Sequence, residues 1–156
     1  MVASDYFPAV HWSLVEQAIA CNIPSHFSAT DLSMADLLER CGTDIDSIKK
    51  KHGCTPDDPK MIRFPFSSSR KRMSTIIQNA TGDGSYDRRL HIKGASEMVV
   101  ACCNKYVDES GNVTNLDDNT REKVKQIITT YAKNALRTIA LAYRDLSENE
   151  CGEKHD

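Results

Sequence analysis

Apolar positions along this chain recur first at helical spacing, then alternate, then return to helical spacing, and those changes of period lay out the elements. Ser13-Leu14-Val15-Glu16 reads as a capping box, and Val15, Ala18 and Ile19 share one face, so a short helix is predicted from Ser13 to about Cys21. A second helix is predicted from near Ser33, with Asp36 at its positive end, Leu37, Leu38 and Cys41 turned inward, and Gly42 as its stop. A third is predicted from Asp44 to about His52, ended by Gly53. Pro56-Asp57-Asp58-Pro59 interrupts regular structure, after which Ile62, Phe64 and Phe66 alternate with Arg63 and Pro65 as in a strand.

Two further extended runs, Met73–Asn79 and Tyr86–Lys93, flank Thr81-Gly82-Asp83-Gly84-Ser85, whose glycines can reverse the chain into an antiparallel hairpin. Lys93 is then placed at a strand-to-helix corner. The helix that follows has Ser96 as cap candidate and Met98, Val99 and Cys102 as its buried stripe. Gly111 marks a loop. Thr120 to about Leu136 gives the longest amphipathic pattern, with Val124, Ile127, Ile128, Tyr131 and Ala135 facing in, and Arg137–Arg144 reads as a closing strand.

At 156 residues the chain has the size of one domain, expected to span 1–156 with linker or hinge stubs at 1–10 and 147–156. A formal charge of −2 supplies no general basic field, which argues against a nucleic-acid partner. The longest apolar run, Met98–Cys103, is far short of the roughly 20 residues of a membrane helix, so the chain itself is expected to be soluble. The six cysteines, Cys21, Cys41, Cys54, Cys102, Cys103 and Cys151, lack regular spacing and sit mostly in apolar helical contexts, which favours reduced, buried thiols. No C-x-x-C occurs, and His52 with Cys54 lacks a second ligand pair, so no metal site is assigned.

Three segments carry candidate chemistry. In Phe64-Pro65-Phe66-Ser67-Ser68-Ser69-Arg70-Lys71-Arg72-Met73-Ser74-Thr75 an aromatic ring leads a polar turn into three cations. Phe66 offers a face for a base, worth roughly 1–3 kcal/mol in stacking, and Lys71 or Arg70 can meet phosphate oxygens. The same residues also fit a core Phe beside a solvated basic turn. In His91-Ile92-Lys93-Gly94-Ala95-Ser96-Glu97 a Lys precedes two residues almost without side chains, which leaves room for a ligand against the backbone or simply makes a turn. Leu136-Arg137-Thr138-Ile139-Ala140-Leu141-Ala142-Tyr143-Arg144-Asp145 is an apolar strand opened by one Arg and closed by an Arg-Asp pair. A kinase reading fails, because no glycine-rich loop precedes Lys93 and no D-F-G occurs; a P-loop enzyme is excluded by the missing G-x-x-x-x-G-K-S/T.

In this order the segments resemble the nucleotide-binding domain of P-type cation-transporting ATPases, most closely the calcium-transporting branch, whose patterns are F-S-x-x-R-K-x-M-S, K-G-A-S-E and L-R-x-x-A-x-A-x-R-D. Leu14–Asn22 and Asp31-Leu32-Ser33 with Leu37-Leu38 are similar to the helices that precede them, and the second helix is closer to sodium-potassium pumps. The resemblance implies an α+β fold, a mainly antiparallel twisted sheet flanked by helices. It also implies ATP as ligand, bound as Mg-ATP in the parent enzyme. Phe66 would stack on adenine, Lys93 would line the base pocket, Gly94 and Ala95 would form its floor, and Met73 and Ile139 would add apolar contacts. Lys71 would sit near the phosphates, Arg137 would reach the phosphate tail, and Ser33 would join from the second helix.

One position departs from the pattern: the family usually has an acid after that Ser or Thr, and this chain has Met34. Losing one neutral hydrogen bond, worth roughly 0.5–1.5 kcal/mol, implies ATP binding weakened several-fold. No Asp-Lys dipeptide occurs, so the phosphorylated aspartate of D-K-T-G is not in this sequence, and no catalytic residue is assigned. The resemblance implies an ATP-driven ion translocase as parent, with this chain as its cytoplasmic domain, the phosphorylation and actuator domains as partners, and the chain monomeric when isolated. The alternative is a cytosolic interaction or regulatory domain of the same fold with weak or lost nucleotide binding.

Overall fold

The computed structural model describes residues 9–24, 28–58, 60–78 and 87–147. The reversal expected at Thr81–Ser85, the tail Glu148–Asp156 with Cys151, and most of the two expected stubs lie outside these residues. Three helices come first: α1 (Ala9–Cys21), α2 (Ala29–Arg40) and α3 (Ile45–Lys51). Strands β1 (Ile62–Ser67), β2 (Arg72–Gln78) and β3 (Arg88–Ala95) lead into α4 (Ser96–Ala101). A small hairpin of β4 (Lys105–Val107) and β5 (Val113–Asn115) precedes α5 (Asp118–Lys133) and the last strand, β6 (Ile139–Leu146).

The main sheet has the order β1-β2-β3-β6, and every neighbouring pair is antiparallel. The fold is therefore α+β with an antiparallel sheet flanked by helices, as the resemblance implies. Alternation in β2 buries Met73, Thr75 and Ile77 on one face, and the register sets His91 beside Thr75 and Lys93 beside Met73. That face meets the first three helices. Ile19, Ala20, Ile23 and Leu38 form the apolar centre there, with Trp12, Met34, Ile48 and Leu141 packed around it. Each large aliphatic side chain buried in this way contributes about 1.5–3 kcal/mol.

A polar network lies beneath α1. Gln17 Oε1 accepts hydrogen bonds from Arg89 at 3.1 Å and from His91 Nε2 at 3.0 Å, so its amide nitrogen is left to donate to His52 at 3.1 Å. Arg89 also forms a bidentate pair with Asp145, at 2.5 and 3.0 Å, and lies 4.4 Å over the Tyr143 ring. Burial first, then the nearby Arg89 and His52 charges, push the His91 pKa down to about 3, so this imidazole is neutral at pH 7.

Several sequence expectations shift. Helix α1 starts at Ala9, so Ser13 sits exposed in mid-helix and its capping box does not form; His11, upstream of it, is tied to the Asp108 carbonyl at 2.6 Å. The capping box belongs to α2, where Ser28 and Asp31 satisfy each other's backbone, which moves that helix start forward from Ser33. At α4 the cap position is Ala95, without a side-chain hydrogen bond, and Cys102 is exposed while Val99 is buried. Helix α5 forms, but none of its residues is buried: Ile127 and Tyr131 are 54% and 48% exposed, and Ala135 beyond its end is exposed too. The physical reason is that α5 leans chiefly on α4, where Arg121 donates at 2.7 Å to the carbonyls of both Val100 and Cys103, and its later turns have no sheet face to cover.

Candidate functional site

Asp31 falls on the buried side of α2 because it stands one and two helical turns from Ala35 and Leu38. Its Oδ2 accepts from the Ser28 amide at 2.8 Å and the Ser28 hydroxyl at 2.7 Å. Its Oδ1 accepts from the Lys93 ammonium, which rises from β3 to meet it. The two residues are only 5% and 6% exposed, so this is a buried ion pair rather than a surface one. Burial alone would raise the Asp31 pKa, but the hydrogen bonds from Lys93 and Ser28 outweigh it and hold the carboxyl below its usual range. For Lys93 burial dominates and lowers the ammonium pKa, with Asp31 opposing.

Phe66 reaches the same side of the sheet through an irregularity in β1. Phe64 pairs with Ser74 but Ser67 pairs with Arg72, so Pro65 and Phe66 together stand opposite the single residue Met73. Strict alternation would put Phe66 on the Arg72 side. The bulge instead brings it to the side of Met73 and Lys93, and its ring is 60% exposed. A ring packed in the core is thereby excluded. Along β3 and β6, Lys93 pairs with Leu141 and Ala95 with Ile139, so Ala95 and Ile139 share this face as well. Met73 is buried, and Ile139 is open to solvent.

Gly94 points the other way. A Cβ there would overlap the Lys71 carbonyl oxygen and stand 2.7 Å from Arg72 Cβ, so its bareness serves the close approach of β2 to β3. The Lys71 carbonyl accepts from the Ala95 amide at 3.0 Å, and Lys71 itself takes a left-handed φ of 50°. Its side chain is exposed, and its backbone lies beside Ala95 at the end of β3. Arg137 is exposed two residues ahead of Ile139, at the same end of the sheet. Arg70 turns back to donate to the Pro65 carbonyl at 2.8 Å, bracing the bulge, and stays exposed like Lys71.

Ser33 is exposed on α2 and donates to the Ala29 carbonyl at 3.0 Å, so the structure does not join it to Lys93. Met34 packs against the apolar centre of the helices. A cavity of about 340 Å³ lined by Ile23, Ala35, Glu39, Ile45 and Lys49 lies between α2 and α3, and none of the expected site residues borders it. Sequence reasoning missed Asp31 as a member of the site. The signal was Ser28-x-x-Asp31, a capping box with Asp in place of the usual Glu or Gln. Among the described residues no group of three or more His, Cys, Asp or Glu side chains could hold a metal ion, and no helix is long and apolar enough to cross a membrane.

The exposed Phe66 ring, the buried Asp31–Lys93 pair and the exposed Lys71 and Arg137 make up the candidate site. The family model for the P-type ATPase cytoplasmic domain N matches residues 18–156, and the chain belongs to that family. It is similar to the plasma membrane-type calcium-transporting ATPase 3 of Oryza sativa subsp. japonica, 49% identical over 84 residues that cover 54% of this chain and 8% of that protein. It is also similar to calcium-transporting ATPase PAT1 of Dictyostelium discoideum, 33% identical over 127 residues, 81% of this chain and 10% of that one. A third relative, the plasma membrane-type calcium-transporting ATPase 4 of Arabidopsis thaliana, is 33% identical over 130 residues, 83% of this chain and 12% of its own length. The chain thus spans about a tenth of the length of these curated relatives.

Proposed function

We propose that this domain binds ATP and positions it for phosphoryl transfer to an aspartate elsewhere in a calcium-transporting P-type ATPase. The observation that carries the reading is the Phe66 ring, turned by the β1 bulge onto the face of Lys93 and left exposed there. Adenine stacks on that ring beside Lys93, with Met73, Ala95 and Ile139 as apolar surroundings. The phosphates run outward to Lys71 and Arg137. Work of this kind is positioning: the domain contributes proximity and charge neutralisation, not a nucleophile. Magnesium would come with the phosphates, since the described residues supply no donor set for it. In the parent pump the phosphorylation and actuator domains would be its partners.

One stack and two or three charge-assisted contacts, set against the association entropy, give a dissociation constant on the order of 0.1 to several mM for the chain alone. The test is an NMR titration with ATP and with adenosine. Shifts should localise around Phe66 and Lys93, Phe66→Ala should remove most binding of both ligands, and Arg137→Ala should weaken ATP while sparing adenosine. Absence of localised shifts at about ten times that constant would sink the reading and favour an interaction domain of the same fold.

A further inference from the structure

Cys21 and Cys54 are the most deeply buried thiols among the described residues, at 0% and 1% exposure, and they share one cluster with Ile77, against which Met61 packs. Cys21 ends α1, and Cys54 lies in the link from α3 to β1, so two segments distant in sequence meet there. The Cys54 thiol donates to the His52 carbonyl at 3.5 Å, which commits its one proton, so the hydrogen bond between the two sulfurs runs from Cys21 to Cys54. That bond first, and burial second, push the Cys21 pKa up, so its thiol is protonated at pH 7. Arg63 fastens the same junction, donating to the Cys21 carbonyl at 3.1 Å and to the Met61 sulfur at 3.6 Å. The other described cysteines differ: Cys102 is exposed, Cys41 and Cys103 are half-buried, and Cys102 and Cys103 each donate to a carbonyl one turn back in the chain.

We propose that Cys21 and Cys54 are a modification site, a dithiol that a small-molecule disulfide such as oxidised glutathione closes to a disulfide, tying the end of α1 to the segment that leads into β1. The inference is independent of the nucleotide reading. One protein thiolate attacks the small disulfide, forms a mixed disulfide and releases one small thiolate. The second protein thiolate attacks the protein sulfur of that mixed disulfide and releases the other. The protein gives up two electrons and two protons, and the small disulfide leaves as two thiols. Because the thiolate is the attacking species and burial keeps Cys21 protonated, the pair reacts more slowly than the exposed Cys102. Closure is nonetheless favoured at equilibrium, since folding has already brought together the ends of a loop of roughly 30 residues that the unfolded chain would have to close itself.

The experiment equilibrates the 156-residue chain, folded and in urea, with oxidised glutathione at a fixed concentration of the reduced form, then quenches with acid. Arg40 and Lys49 lie between the two cysteines, so trypsin separates their peptides unless a disulfide joins them, and mass spectrometry reads the link. The folded chain should form the Cys21–Cys54 link with at least about tenfold less oxidised glutathione than the unfolded chain. Linkage should raise Tm by about 4–16 °C, and dithiothreitol should reverse the rise. Cys54→Ser should lose both the link and the rise, and Cys102→Ser/Cys103→Ser should keep both. The mapping on the unaltered chain decides the matter even where Cys54→Ser does not fold. Links that pair Cys21 or Cys54 with other cysteines instead, an oxidant requirement at or above that of the unfolded chain, or a Tm unchanged or lowered by linkage would each overturn the inference.

Discussion

Gly94→Ala separates two explanations of a bare residue next to a candidate ligand face. If Gly94 is small so that a ligand can lie on it, alanine costs binding and spares stability. The structure gives the opposite expectation. A Cβ at this position would overlap the Lys71 carbonyl oxygen and sit 2.7 Å from Arg72 Cβ and 2.8 Å from Arg72 Cα, so backbone rather than a pliable side-chain end must yield. Overpacking of this kind costs about 1–3 kcal/mol. Moving Lys71 also endangers the 3.0 Å hydrogen bond from the Ala95 amide to its carbonyl, for about 1 kcal/mol more. The lower entropy of an unfolded alanine chain returns about 0.4–1 kcal/mol, leaving a net loss of about 1–3.5 kcal/mol. In a domain of this size that lowers Tm by roughly 2–14 °C. Thermal unfolding followed by circular dichroism measures it, with an adenosine titration of the variant well below its midpoint. An unchanged Tm together with lost adenosine binding would refute the strand-packing argument and restore the ligand-floor reading of Gly94.

Two further expectations use groups already described. Lys71→Gly relieves a left-handed residue and removes an exposed cation together, so thermal stability should hold or rise by up to about 1 kcal/mol while ATP, but not adenosine, binds more weakly; a fall in both would contradict it. His91 is held neutral with a folded pKa of about 3, below its ordinary 6.5, so the unfolded chain takes up the proton first as pH falls. Its contribution to stability is complete above pH 6.5 and is lost progressively as pH falls toward 3, amounting to about 2 kcal/mol by pH 5. Urea unfolding at several pH values checks this. His91→Gln should flatten the slope in that window, and His52, lowered by the same burial, should keep part of it.

Much of the fold was legible because local pattern and tertiary need agree: the change to period two at Ile62, the helix stops at Gly42 and Gly53, and the return to helix after Gly94 all sit where the elements change. Helix starts were less legible. Ser13-x-x-Glu16 matches the capping pattern and lies inside a helix, whereas Ser28-x-x-Asp31 matches it less well and is the true start. The motif is satisfied by local geometry, but which copy is used depends on contacts such as His11 with Asp108, far away in sequence. The β4–β5 hairpin, three residues a side, gave no signal beyond Gly111. At the site, Phe66 and Lys93 were readable as chemistry. The bulge that unites them was not, since it lies in the pairing of Ser67 with Arg72 rather than in either strand alone. The Asp31–Lys93 pair likewise joins residues 62 positions apart.

Pro65 lies in β1, an outer strand of the sheet. Proline has no amide hydrogen, and a bulge twists the border it interrupts, so a strand from another molecule would find a broken row of donors there. The kink that Pro65 and Phe66 make in β1 thus also guards against sheet-to-sheet aggregation, at a border where Ile62, Phe64 and Phe66 are all exposed and would otherwise invite it.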